Sequence, residues 1–306
     1  TVCIIVMYLF GIITFVVMRK NPSSDSFADV FQKLVTGFFI LILVYSVYIT
    51  TLKTISLAYV MLGLLVLIRK EKTVLNTPFS IVHHFETKYI IAFCWSLLLL
   101  IFFHFFQGYF FYNLPFNNVP QGDITGYYAK IIDFLNTEGV ESRTKALRLI
   151  METTDSPTPY HYPELWLSAL QSKITGILSV ETFTVGVHSI LAAILSVGMI
   201  SLARSIFKNP ASQILAVFSI FFGGITLLRF LPQNDSYLFA IGWNPKVMVI
   251  SMLFVWFLIL FLQRNKGFYY PLLLMPIANM ALAPAIFCSL VTFAFIFLLK
   301  RDRAFN

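Results

Sequence analysis

The chain has 306 residues, 58% of them hydrophobic and only 12% charged, with 33 Phe and a formal net charge of +8. A soluble domain carries roughly 25% charged residues, so this composition excludes a water-soluble globular fold and makes lipid the solvent. The positive charge is no nucleic-acid signature, because the basic residues fall in short clusters between apolar runs and no RNA- or DNA-binding motif accompanies them.

The three cysteines, Cys3, Cys94 and Cys288, each lie inside an apolar run. They read as small buried hydrophobes, not as a disulfide framework. Thr1 already lies in an apolar run, and Lys300-Arg301-Asp302-Arg303 closely follows another, so a fragment of a longer membrane protein is expected. Basic residues follow the first apolar run instead of preceding it, which argues against a cleavable signal peptide.

A helix needs roughly 17–25 apolar residues to cross the hydrocarbon core. In chain order the candidates are 1–18, 34–51, 54–68, 89–111, 183–203, 211–230, 243–262 and the run 269–299. Pro271, Pro276 and Pro284 divide the last into two short helices, 269–282 and 284–299, forming a hairpin or re-entrant pair. The expected fold is all-α: a polytopic transmembrane helical bundle of about nine spans, with a helical non-cytoplasmic loop and an interfacial amphipathic helix. Three segments follow: N-terminal transmembrane helices over 1–111, a loop with the interfacial helix over 112–182, and C-terminal transmembrane helices over 183–306.

The positive-inside rule orients the bundle. Arg19/Lys20, Arg69/Lys70/Lys72, Arg204/Lys208, Arg264/Lys266 and Lys300/Arg301/Arg303 are all expected on the cytoplasmic side. One threading satisfies every cluster: the N-terminus lies outside, and 112–182 stays outside. This requires 164–180 not to cross. There, Trp166, Leu170, Ile174, Ile177 and Leu178 repeat at helical spacing, opposite Glu164, Ser168, Gln171, Ser172, Thr175 and Ser179. The pattern predicts an amphipathic helix lying in the membrane interface.

The outer loop, 112–163, holds Asp123, Asp133, Glu138, Glu141, Glu152 and Asp155. Its first helix places Tyr127, Tyr128, Ile131, Ile132 and Leu135 on one face, with Asp123 or Thr125 as a cap and Gly139 as its end. A second helix is expected near 141–152. Asp155-Ser156-Pro157-Thr158-Pro159 then makes a rigid turn into Tyr160-His161-Tyr162-Pro163-Glu164. An acidic residue and a Tyr/His motif at one membrane face suit a substrate whose lipid tail stays in the bilayer while its polar head reacts.

The order Gly122-Asp123-x3-Tyr127-Tyr128-x4-Asp133-x5-Gly139, followed by Tyr162-Pro163-x-Leu165-x-Leu167-x-Ala169, resembles the GT-C superfamily of membrane glycosyltransferases. The resemblance covers about 105–205 by motif and the later spans by hydropathy. It implies a multi-pass protein of the bacterial plasma membrane and a sugar donor on a polyprenyl phosphate or pyrophosphate. It further implies an acceptor glycan, lipid or protein outside the cytoplasm, and an outer-loop acidic residue serving as catalytic base or ligand to a divalent metal. About four spans precede the Asp loop where the family usually has one. Glu164 stands where a second Pro is common, and Asp235 is the only acidic candidate in the next outer loop.

Residue by residue, Asp123 is the candidate general base or substrate-orienting carboxylate, against the alternative of a helix cap. Tyr160, His161 and Tyr162 are candidates to bind sugar or phosphate, against an aromatic belt. Arg229 and Lys246 fall at the outer ends of spans, where a cation can neutralise a lipid phosphate or simply snorkel. His104 and His188 each read as a lone histidine bonded to a nearby carbonyl. Two rival readings remain beside the transferase: a transporter or flippase of a lipid-linked sugar, and a non-catalytic membrane scaffold subunit.

Overall fold

A computed structural model describes residues 2–17, 26–52, 123–139, 163–209, 211–212, 245–278 and short pieces between 282 and 292. All regular structure among these residues is helical. In chain order the elements are α1 (Val2–Val17), α2 (Ser26–Thr51), α3 (Asp123–Glu138), α4 (Pro163–Thr175) and α5 (Ser179–Glu181). A π-helical segment, Thr182–Val187, leads into α6 (His188–Ile206); then come α7 (Pro245–Leu262) and α8 (Tyr269–Ala278).

Among the described residues, Phe27–Thr51, His188–Ile206 and Pro245–Leu262 are long and apolar enough to cross a membrane, as an integral membrane protein requires. Cys3–Thr14 and Tyr269–Ala278 are shorter apolar helices. The expected spans 54–68 and 89–111, and nearly all of 211–230, lie outside the described residues. So do the expected helix near 141–152 and the turn at 155–159.

The first two helices form an antiparallel pair whose backbones almost touch. A methyl group added to Gly37 would lie 1.6 Å from the Met7 carbonyl oxygen, and one added to Gly11 would lie 1.9 Å from that of Lys33. Small residues at a crossing let two helices in lipid gain van der Waals contact that larger side chains would forbid. The second helix starts at Ser26, where the sequence reading began the span at 34. Asp29 and Lys33 interrupt the apolar run but pair with each other one turn apart at 2.5 Å, so the helix runs through them.

The opposite side of α2 meets α6. Phe31 packs on Gly198, and the Arg204 guanidinium lies 4.9 Å from the centre of the Phe27 ring. The start of α2 is therefore level with the end of α6, and the two run antiparallel.

The seventh helix packs on α6 and turns sharply into α8. Arg264 adopts a left-handed conformation (φ 52°), Asn265 N–H bonds to Leu260 O at 2.9 Å and Arg264 N–H to Phe261 O at 3.0 Å, the hydrogen-bond pattern of a Schellman motif. Pro276 lies inside α8, and residues 279–281 of the expected helix 269–282 lie outside the described residues. Buried residues from Ile4 to Ala278 form one contiguous core. Cys3 is half-buried, while Cys288 is exposed, in contrast to the buried position expected for it; both thiols are free.

Replacing Gly37 with Leu should force α1 and α2 apart, at a cost of about 1–3 kcal/mol by overpacking. Thermal unfolding of the purified protein in detergent checks this: the midpoint should fall for Gly37→Leu and stay near wild type for the exposed Leu43→Ala.

Candidate functional site

Both α3 and α4 converge on the end of α2. The third helix is described from Asp123, and residue 122 before it lies outside the described residues. Ile131, Ile132 and Leu135 are buried and Tyr128 is half-buried, as the periodicity requires. The helix ends at Gly139, whose φ of 69° suits glycine and whose N–H bonds to Leu135 O at 3.0 Å. Gly139 is wedged against Ile49 and Thr50, where a methyl group would come within 2.8 Å of Ile49 Cγ2.

Two side-chain links fix α3 in place. Tyr45 Oη donates to Asn136 Oδ1 at 2.6 Å and lies 3.5 Å from the carbonyl oxygen of Ala169 on α4. Its ring meets Trp166 edge-on at 6.0 Å. On the other side Ser179 Oγ donates to Asp133 Oδ1, and Ser172 Oγ stands 3.4 Å from Ser179 Oγ. Tyr128 also packs on Phe183 at 5.2 Å. The third helix is thus tied to α2, α4, α5 and the π segment.

The fourth helix holds the polar stripe of the expected amphipathic helix inside the protein. Every residue from Pro163 to Gln171 is buried, including Glu164 (2% exposed), Ser168 (0%) and Gln171 (7%). Ser168 Oγ and Thr182 Oγ1 are hydrogen-bonded at 2.9 Å, and Thr182 Oγ1 donates to Ser179 O at 3.0 Å. The polar stripe therefore faces protein, where a hydrogen bond is electrostatically stronger than in water. Periodicity marks such a stripe but does not distinguish water from an internal partner. The helix also stops at Thr175, before the expected 180, because Gly176 takes a left-handed φ of 70° and its N–H bonds to Ser172 O at 2.9 Å.

The π segment lies at this junction. Its Gly186 lets Gln171 approach: a methyl group there would fall 2.4 Å from Gln171 Oε1. Gln171 Oε1 is buried without a hydrogen-bond partner among the described residues. His188 Nδ1 donates to Phe183 O at 3.1 Å, and the two rings meet at 6.1 Å. That contact matches the carbonyl-bonded histidine of the sequence reading. π turns recur at functional sites in helices.

Of the sequence-selected site residues, Asp123 opens α3 and Lys246 is the second residue of α7, half-buried. Tyr160, His161, Tyr162 and Arg229 lie outside the described residues, as do Asp235 and His104. Pro163 begins α4 directly after the Tyr160-His161-Tyr162 stretch, and α4 packs on α2, α3 and α7. The helix carrying Asp123 and the helix carrying Lys246 therefore each pack on the helix that follows the Tyr/His motif. No group of three or more His, Cys, Asp or Glu side chains converges among the described residues.

Sequence reasoning missed Tyr45, Asn136, Ser168, Ser179 and Thr182 as a connected set. Ser168 and Ser179 carried a signal only as members of the polar stripe, and their partner Asp133 only through its place in the quoted motif. No family model, curated protein or solved structure matches this chain.

Tyr45 is 1% exposed, so Tyr45→Phe removes a donor where water does not replace it. The change should cost about 1–3 kcal/mol and lower the thermal midpoint, and hydrogen exchange should accelerate in α3. Unchanged exchange in α3 would show that the link does not hold the helix.

Proposed function

We propose that this chain is a membrane glycosyltransferase that moves a sugar from a polyprenyl-linked donor to an acceptor on the non-cytoplasmic face. The observation that carries the reading is that Asp123 opens a helix locked onto candidate spans, beside the helix that follows the Tyr160-His161-Tyr162 motif. A base on a rigid element is held in register with its substrate, and such positioning is itself a large part of catalysis. The motif order resembling GT-C enzymes supports the same reading, as does the threading that puts all five basic clusters on one side.

In the reaction, the acceptor oxygen attacks the anomeric carbon and its proton passes to the Asp123 carboxylate. The bond from that carbon to the phosphate oxygen breaks, and the lipid phosphate leaves with the electron pair. A single displacement of this kind inverts the anomeric centre. Arg229 and Lys246 neutralise the phosphate as charge develops on it. Tyr160, His161 and Tyr162 hold the sugar or its phosphate at the mouth of α4. In this reading the bundle has about nine spans, residues 112–182 lie outside the cytoplasm, and the membrane is a bacterial plasma membrane. A divalent metal beside Asp123 is a variant of the scheme in which the carboxylate is a ligand rather than the base.

One observation favours a transporter or flippase as the second reading: Glu164 is an ionisable residue buried in a helix packed between candidate spans. Such residues mark translocation paths in membrane proteins.

Membranes supplied with labelled polyprenyl-phosphate sugars separate the two. Asp123→Asn, at matched insertion, should lower transfer by at least about 100-fold, while Glu164→Gln should retain it. Equal transfer by wild type and Asp123→Asn would remove Asp123 from the chemistry. Lipid-linked sugar crossing the bilayer without bond formation, and lost in Glu164→Gln, would establish the second reading instead.

A further inference from the structure

The buried start of α4 contrasts with its end. From Lys173 to Leu178 every residue is exposed, and three of them are large and apolar: Ile174 (55%), Ile177 (46%) and Leu178 (70%). The turn that presents them is ordered by its own hydrogen bonds. Ser172 Oγ donates to Ile177 O at 2.8 Å, and Ile177 N–H donates to Thr175 Oγ1 at 3.3 Å. Gly176 N–H closes the helix on Ser172 O, and nothing approaches within 4 Å of the place where a Gly176 side chain would stand. A structured turn that holds three large hydrophobics outward needs an apolar or amphipathic surface to meet them.

Two independent measures of depth say which surface that is. On one side, Tyr45 Oη reaches Ala169 O, and Tyr45 lies about 9 Å along the axis from Thr51, the end of a span-length helix. That helix is 25 residues long, so at about 37 Å it exceeds the roughly 30 Å hydrocarbon core by about 7 Å, shared between its two ends. Ala169 therefore sits near the edge of the hydrocarbon layer. On the other side, Leu178 stands no more than about 15 Å from His188, the first residue of the span-length α6. Both measures put the 174–178 turn at headgroup level, not out in bulk water. Lys173 beside it supplies a cation on a long apolar stem, suited to lipid phosphates.

We propose that Ile174, Ile177 and Leu178 form an apolar finger that inserts into the headgroup and upper acyl layer of the bilayer. The finger ties the α4–α5 junction to the lipid surface. Each large side chain withdrawn from water adds apolar area, and Lys173 adds electrostatic attraction to anionic lipid. The inference rests on the membrane spans and not on any reaction.

The test uses the full chain with Cys3, Cys94 and Cys288 replaced by Ser. An environment-sensitive fluorophore is attached at Ile177→Cys or, as a second site, Leu178→Cys. The protein is reconstituted into phosphatidylethanolamine/phosphatidylglycerol vesicles. Emission should be shifted to the blue. Lipids carrying a nitroxide near the headgroup should quench it more than lipids carrying one near the chain end, and aqueous iodide should quench it weakly. Replacing both Ile174 and Leu178 with Asp should shift the emission at Ile177→Cys back to the red. Strong iodide quenching without lipid quenching would overturn the proposal in favour of a water-facing turn. A blue shift that vanishes on dilution of protein into lipid would overturn it in favour of contact with a second copy.

Discussion

Polar groups drawn into a bundle of this composition must find partners inside the protein, because lipid offers none. That constraint shapes the region where α2, α3, α4, α5 and the π segment meet. Tyr45 reaches from α2 to Asn136 on α3 and toward the Ala169 carbonyl on α4. Ser179 joins α5 to Asp133, and Ser168 joins α4 to Thr182 in the π segment. Without these bonds the serines, the threonine and the tyrosine would be buried at a net loss. With them, helices far apart in sequence are fixed relative to one another, and α3 becomes part of the bundle.

The consequence for chemistry is rigidity. Asp123 stands at the start of a helix whose middle and end are held at Asp133, Asn136 and Gly139. A group so placed keeps its position without depending on loop order. The glycine crossing of α1 and α2 supports this from behind, since Gly11 and Gly37 let α1 pack flush against the helix that carries Tyr45. The exposed turn after α4 then carries the same assembly to its boundary with lipid.

Much of this was legible in the sequence. The α3 helix, its apolar face and its stop at Gly139 followed from spacing and from the left-handed preference of glycine. The span-length helices followed from hydropathy, though α2 began earlier because an Asp29–Lys33 pair carried the helix through charged residues. Periodicity does not reveal the partner of a polar stripe: it places Ser168 and Gln171 on the polar face of α4, and both are buried in protein. Tyr45 showed no signal at all, since a tyrosine near a span end is equally at home at the lipid surface. Internal pairing between residues 91 apart, as for Tyr45 and Asn136, depends on the fold and leaves no trace in local pattern.

The central claim is that α3 is docked against the α4–α5 junction beside the spans. Disulfide cross-linking in native membranes tests it most directly, using Asp133→Cys with Ser179→Cys in a chain otherwise free of cysteine. Mild oxidation should join this pair rapidly, while Lys130→Cys with Ser179→Cys should join far more slowly. If both pairs join at the same slow rate, α3 is not docked there, and the support argued for Asp123 falls with it.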